Sequence, residues 1–175
     1  MTTHGHEQQN SFLQRLELVD VKSCEGICTL FPAKLRQGLR NLRSVKIEDC
    51  KSLEEVFELG EVDEESNEEK ELPLLSSLTE LQLIMLPELK CIWKGPTKHV
   101  SLQSLVHLNM NSLNKLTFIF TPSLARSLPK LQILKIRDCL ELEHIIREKD
   151  GENNYHSVNV EKEMVLPNLQ ELSLK

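Results

Sequence analysis

The residues most able to do chemistry in this 175-residue chain are five cysteines and six histidines. Cysteine thiolates act as nucleophiles or metal ligands, and histidines act as bases or metal ligands. No Cys-x-x-Cys pair occurs, and the His-Gly-His at positions 4–6 has no partner at metal-ligand spacing. The other histidines, His99, His107, His144 and His156, are scattered along the chain. We therefore predict no metal site and no catalytic residue.

Nucleotide chemistry has no support in the sequence. A phosphate-binding loop of the form GxxxxGKS or GxxxxGKT is absent, and the chain has only six glycines. Acidic residues are frequent throughout, so no pair of carboxylates stands out as an acid and a base. The sequence predicts a protein that is not an enzyme and that holds no cofactor.

Negative charge is concentrated in one segment. The formal net charge is −6, and residues 58–71 hold eight acids against Lys70 alone. The rest of the chain is nearly neutral, so the basic surface that nucleic acid requires is not indicated. We interpret the acidic segment as a solvated loop, with binding to a basic surface as the alternative.

Nothing in the sequence directs the chain to export or into a membrane. The first ten residues are polar, and no apolar run is long enough to span a bilayer. The odd number of cysteines and the lack of an Asn-x-Ser/Thr sequon favour reduced thiols. We predict a cytoplasmic location and no membrane span.

The strongest pattern is an internal repeat. The template LxxLxxLxLxxCxxLxxI, followed by a bulky residue, fits five times and begins a sixth time. Each template position is apolar in every unit, although only 39% of the chain is apolar. Cys24, Cys50 and Cys139 fill the same template position, which predicts small buried hydrophobes, whereas Cys28 and Cys91 are unmatched. The units are numbered one to six and occupy 13–31, 39–57, 75–93, 102–120, 128–146 and 166–175.

The Leu-x-Leu step of each unit predicts a short strand. A period of two is typical of a strand, and amphipathic helices, the alternative, would not keep it. The first residues of successive steps lie 26, 36, 27, 26 and 38 residues apart. The two longer intervals contain the polar inserts 58–71 and 147–163.

These features predict an α/β repeat fold: a curved, horseshoe-shaped leucine-rich-repeat solenoid. Its parallel β-sheet would line the concave face, with turns or short helices, such as 33–38 and 123–127, on the convex face. We divide the chain into a polar disordered start (1–11) and a repeat domain (12–175). Because neither end carries a polar cap, we expect a fragment of a longer protein.

The units LKIRDCLELEHII, VKIEDCKSLEEVF and LQLIMLPELKCIW resemble the repeat region of plant nucleotide-binding leucine-rich-repeat disease resistance proteins. Cysteine at positions 24, 50 and 139 is similar to the coiled-coil branch of that class, although Leu86 and Leu113 replace it in two units. The resemblance covers residues 12–175. It implies a receptor whose repeats sense a pathogen effector or a guarded host protein and restrain an intramolecular nucleotide-binding domain.

The residues between the two leucines of each step point away from the core. They form a row of mixed polarity that we interpret as a partner-contact surface, with a solvated sheet face as the alternative. The row consists of Asp20, Lys46, Gln82, Asn109, Lys135 and Ser173.

Ile84 and Met85 follow the third step, where other units have charged residues. With Val106 and His107 as predicted neighbours, they would form an apolar patch of the kind that marks an interface. Burial under a turn, or simple strand propensity, is the alternative explanation.

The family resemblance leaves other functions open. A leucine-rich-repeat scaffold, such as the substrate adaptor of a ubiquitin ligase, is the alternative to an immune receptor. An adaptor would carry a docking segment outside the repeats, whereas a receptor would carry a nucleotide-binding domain upstream.

Overall fold

The computed structural model describes residues 14–60, 73–147 and 166–175. The predicted disordered start, the His-Gly-His at 4–6 and most of both inserts lie outside the described residues. Within the described chain, each unit contributes its Leu-x-Leu step to one six-stranded parallel sheet. The strands, in chain order and in sheet order, are β1 (Leu18–Lys22), β3 (Ser44–Glu48), β5 (Glu80–Ile84), β7 (His107–Asn111), β9 (Ile133–Arg137) and β11 (Glu171–Leu174).

The register of this sheet is that of the sequence template. Val45 lies opposite Val19 on one side and opposite Leu81 on the other, and the same template position is paired across the remaining strands. The unequal separations of 26, 36, 27, 26 and 38 residues are therefore absorbed outside the strands. The predicted fold class, an α/β leucine-rich-repeat solenoid with a parallel sheet, is confirmed.

The core consists of the leucines and the other apolar residues at the template positions. In units two, three and four every template residue is buried, with at most 3% of the side chain exposed. Units one and five are less completely buried, and in unit six Leu172 and Leu174 are 50% and 59% exposed. Burial falls toward both ends because a unit covers its leucines only with its neighbours.

A second set of short parallel strands lies at the other end of each template, which the sequence reasoning did not predict. These strands begin near the final Leu-x-x-Ile of each unit and pair in two ladders. The first ladder contains β2 (Thr29–Phe31), β4 (Glu55–Glu58) and β6 (Cys91–Lys94), and the second contains β8 (Phe118–Phe120) and β10 (His144–Ile146).

The bulky residue that ends each template explains this second layer. Phe57 stacks on Phe31 and on Trp93, with ring centroids 5.1 Å and 5.2 Å apart and planes within 5° of parallel. The indole Nε1–H of Trp93 donates to the carbonyl oxygen of Ile119 at 2.8 Å, which links the first ladder to the second. Stacked rings and a satisfied indole N–H stabilise a buried edge of the core.

Two helical segments occur among the described residues, at the places where proline predicted them. A 3₁₀ helix occupies Ala33–Arg40 after Pro32, and a single α-helical turn, α1, occupies Pro122–Ala125. The hydroxyl of Thr121 accepts from the Leu124 N–H at the N-cap of α1. The first helix continues to Arg40, beyond the predicted 33–38, and the second begins at Pro122 and ends at Ala125 instead of occupying the predicted 123–127.

Candidate partner-binding face

The predicted contact row exists as a continuous line across the six strands. We call it the central row, and the side of the sheet that it occupies the sheet face. Asp20 lies opposite Lys46, Lys46 opposite Gln82, Gln82 opposite Asn109, and the line continues through the last two strands. Asp20 is exposed, and the other five residues are half-buried by their neighbours in the row: Lys46, Gln82, Asn109, Lys135 and Ser173. The register therefore brings all six together.

Ion pairs between strands neutralise much of the charge on this face. The Glu48 carboxylate lies 3.0 Å from the Lys22 Nζ and 3.4 Å from the Lys46 Nζ. The hydrogen bond from Lys22 lowers the pKa of Glu48 and raises the pKa of Lys22. At the other end of the sheet, the Lys135 Nζ lies 3.1 Å from Glu171. The face is thus polar and partly neutralised, whereas the exposed Asp20 and Arg137 form no ion pair with a described residue.

Met85 differs from every residue at its template position. The residue after each sheet strand has a left-handed backbone, with φ between 50° and 57° at Ser23, Asp49, Met85, Ser112 and Asp138. Serine and aspartate tolerate this conformation because their short polar side chains hydrogen-bond locally. Ser23 donates to the Asp49 carboxylate at 3.1 Å, and Ser112 donates to Asn111 at 3.0 Å. Met85 has no polar group to do this, and 42% of it is exposed.

Ile84 precedes Met85 and is half-buried on the sheet face between Glu48 and Asn111. The two residues form an apolar pair in the middle of the sheet face, whose other outward apolar residues are Leu18 and Ile133 at the beginnings of β1 and β9. A strained, exposed apolar residue is the kind of feature that is retained at binding sites.

The predicted grouping of Val106 and His107 with this pair is wrong. His107 lies opposite Glu80, at the beginning of the strands, whereas Ile84 lies opposite Asn111 at their end. Four residues of strand separate the two places by about 13 Å. The error arose because Val106 and His107 precede the fourth step, whereas Ile84 and Met85 follow the third. His107 is exposed, but it belongs to the other margin of the sheet face.

The cysteines behave according to their place in the stack. Cys50 is buried with 1% exposed, whereas Cys24 and Cys139 are half-buried against the core in the less covered units one and five. Burial raises the pKa of Cys50, Cys91 and Cys139 above the ordinary thiol value. Cys28 is exposed, and all five thiols are free. Raised pKa values keep the buried thiols protonated and unreactive.

Among residues 14–60, 73–147 and 166–175, no group of three or more His, Cys, Asp or Glu side chains is placed to hold a metal ion. His99, His107 and His144 are at different places in the stack, and His156 lies outside the described residues. In the same part of the chain, no helix is long and apolar enough to cross a membrane.

The sequence reasoning missed two features of this region. It identified Met85 as apolar but not as the strained member of a left-handed series, although serine or aspartate at the four equivalent positions was a visible signal. It also missed the second strand ladders, whose signal was the Phe or Trp that ends units one to four.

One strand of the six-stranded sheet from each unit, a constant register and a core of template leucines together define a leucine-rich-repeat solenoid, a class of protein-interaction module. The family model described as "Plant disease resistance protein RPS2-like, leucine-rich repeats" matches residues 1–140. The chain therefore belongs to this family of plant disease resistance proteins.

A curated relative supports the same assignment. A probable disease resistance protein of Arabidopsis thaliana is 34% identical over 105 residues, which are 59% of this chain and 11% of the relative. The match thus spans about a tenth of the relative's length. No solved structure matches this chain.

Proposed function

We propose that this chain is the recognition region of a cytoplasmic plant immune receptor. It binds a pathogen effector, or a host protein that the receptor guards, through the sheet face. In the unstimulated receptor it also restrains an intramolecular nucleotide-binding domain. It performs no catalysis and needs no cofactor of its own.

The observation that carries this proposal is the apolar pair on the sheet face. Ile84 and Met85 stand among residues whose charges are already paired between strands, as Glu48 is with Lys22 and Lys46. A central apolar anchor surrounded by polar residues is the arrangement in which a few residues supply most of the binding free energy. Family membership favours a receptor over the ubiquitin-ligase adaptor.

The experiment introduces one charge into the centre of the face in the full-length receptor that contains these repeats. Met85→Asp is suitable because aspartate already occupies the same left-handed position at Asp49 and Asp138. Asn109→Arg changes the central row itself. Asn114→Asp, at an exposed position away from the sheet face, is the matched control.

Cell death is scored in leaves of a plant line that the receptor protects, with and without the pathogen. Loss of the triggered response at unchanged protein level is expected if the face recognises a partner. Cell death without the pathogen is expected if the face also restrains the receptor. If both variants behave like Asn114→Asp, the sheet face is not the contact surface and the proposal is wrong.

A further inference from the structure

Cys24 and Cys50 fill the same template position in units one and two, and these units are in register on both sides of the two cysteines. Before them, β1 pairs with β3 through residues 26 positions apart. After them, the backbone N–H of Glu54 donates to the carbonyl oxygen of Cys28 at 2.9 Å, and these residues are again 26 positions apart. Cys24 and Cys50 have the same separation, so they are neighbours in adjacent turns of the solenoid.

The distance between these two positions suits a disulfide bond. Neighbouring parallel strands are about 4.8 Å apart, and the Cα atoms of a disulfide are about 4.4–6.8 Å apart. Burial is the main cause that raises the pKa of Cys50, and a hydrogen bond with the Cys24 side chain also raises it. The two thiol groups therefore interact directly in the reduced protein.

Cys24 and Cys50 are the one pair of this kind among the five cysteines, all of which lie in the described part of the chain. The carbonyl oxygen of Cys28 accepts from the backbone N–H of Glu55 at 3.0 Å, and Cys91 lies opposite the same residue, Glu55. Neither Cys28 nor Cys91 therefore has a cysteine as its neighbour in unit two.

Cys139 has the same place in unit five but no cysteine beside it in unit four. Its thiol donates to the carbonyl oxygen of Arg137 at 3.3 Å, and the thiol of Cys50 makes the same contact with Glu48 at 3.5 Å. The neighbour of Cys139 in unit four is Leu113, whose backbone hydrogen-bonds with the Cys139 thiol. Cys139 therefore shares the local geometry of Cys50 without the second thiol.

A small oxidant can reach one thiol of the pair. Cys24 is half-buried because unit one is incompletely covered, whereas Cys50 is 1% exposed. A cysteine that has been oxidised to a sulfenic acid condenses with a thiol beside it to form a disulfide. Cys24 is thus placed to react with the oxidant, and Cys50 is placed to react with the oxidised Cys24.

We propose that Cys24 and Cys50 are a redox-active pair that hydrogen peroxide converts to a disulfide, which links units one and two. The Cys24 thiolate attacks one peroxide oxygen, the O–O bond breaks and a sulfenic acid forms, while the departing hydroxide and the proton that the thiol lost leave as water. The Cys50 sulfur then attacks the Cys24 sulfur, the S–O bond breaks, and the departing hydroxide takes the Cys50 proton as a second water. The two thiols lose two electrons in total, and one peroxide accepts them.

The disulfide ties the less covered unit one to unit two, whose template residues are buried. Leu18 on β1 is 65% exposed, and Asp20 on the same strand is the first residue of the central row. Cross-linking two residues of one chain favours the folded arrangement because it restricts the unfolded one. Oxidation therefore fixes this end of the sheet face, whatever partner the sheet face binds.

The first experiment treats the reduced Cys28→Ser chain with hydrogen peroxide, alkylates the remaining thiols with N-ethylmaleimide in denaturant, and digests the chain with trypsin without a reducing agent. In this variant, peptide 23–34 contains Cys24 as its single cysteine, and peptide 47–51 contains Cys50. Mass spectrometry is expected to find the two peptides cross-linked, and to find them separate after treatment with dithiothreitol. Recovery of peptide 47–51 with an alkylated Cys50 and no cross-link would overturn the proposal.

Two controls separate a specific bond from random pairing. Cys24→Ser, introduced into the same chain, removes one thiol at nearly constant side-chain size, and Cys50 is then expected to be recovered alkylated. Circular dichroism checks that this variant keeps its fold. Cys139 is the matched control within each sample and is expected in no cross-link. A bond from Cys50 to Cys139, or between two chains, in place of the bond to Cys24 would mean that unfolded molecules pair at random and would overturn the proposal.

Amide hydrogen exchange tests the consequence for unit one. Exchange in β1 is expected to become at least about tenfold slower after peroxide treatment of the Cys28→Ser chain. It is expected to stay the same when the chain that also carries Cys24→Ser is treated. Unchanged exchange in β1 of the cross-linked chain would show that the bond does not fix unit one, and this part of the proposal would be wrong.

Discussion

Five equivalent residues follow the sheet strands with a positive φ, and Met85 is the one without a short polar side chain. A left-handed conformation costs such a residue roughly 1–2 kcal/mol. We therefore expect Met85→Asn to raise the free energy of unfolding by up to about 1 kcal/mol, while removing the apolar anchor of the sheet face.

The reverse change supplies the companion measurement. Ser112→Met should lower the free energy of unfolding by about 1 kcal/mol in urea denaturation, because it adds the same strain in unit four. Thr117→Met, at an exposed position without a positive φ, is the control. Equal effects of the two methionines would show that backbone strain is not the cause.

The thiols give a second prediction for single residues. Iodoacetamide should modify Cys28 first, because it is exposed, and Cys50 last, because burial both covers it and raises its pKa. Measuring the intact mass and mapping the modified peptides over time gives the order in which the cysteines react. Modification of Cys50 in the native protein as fast as that of Cys28 would contradict the buried position of this thiol.

At the scale of elements, the aromatic stack of the first ladder is the clearest target. Phe57 is fully buried between Phe31 and Trp93. Phe57→Ala should cost about 3–5 kcal/mol of stability because it opens a cavity at the centre of the stack. Phe118→Ala, at a half-buried position on the outer side of the second ladder, should cost clearly less. Chemical denaturation of both variants measures the two losses of stability. Equal losses would mean that the stack adds nothing beyond ordinary burial.

The ion pair between β1 and β3 predicts a dependence on pH. The pKa of Glu48 is lowered from 4.5, so the pair stabilises the fold above that value and ceases to do so as the pH falls through the lowered pKa. The pKa of Lys22 is raised from 10.5, so the same stabilisation is lost again as the pH rises through the raised value. The stability difference between wild type and Lys22→Gln should therefore vanish at low pH and shrink in high salt. A difference that persists unchanged at low pH would show that the lysine acts through packing.

The elements also show how far the sequence could be interpreted. The sheet strands and their register followed from the Leu-x-Leu step, because a period of two and a constant template leave one way to stack Val45 between Val19 and Leu81. The ladder strands could not be derived in the same way, since three residues such as Phe118–Phe120 carry no clear period. The prediction of the apolar patch was wrong for a different reason. It placed His107 beside Ile84, but the parallel register puts His107 opposite Glu80.

At the scale of the whole molecule, stability should decline from the middle of the stack to its ends. Units two to four bury all their template residues, whereas Leu172 and Leu174 on β11 remain half-exposed. In a solenoid each unit is stabilised by its neighbours, so amide hydrogen exchange should be slowest in β5 and β7 and fastest in β11. Mass spectrometry of exchange over time measures this directly. Uniform protection from β1 to β11 would mean that the stack unfolds as a single cooperative unit.

The constant register also makes one connection useful to protein engineers. Ser44 lies opposite Glu80 although 36 residues separate them, whereas Leu18 lies opposite Ser44 at a distance of 26. The extra residues between β4 and β5 therefore leave the strand pairing unchanged, and doubling a loop's length costs only about 0.6 kcal/mol in closure entropy. A fluorescent protein or an affinity tag grafted between β4 and β5 should report on this repeat region in living tissue while every strand keeps its neighbour.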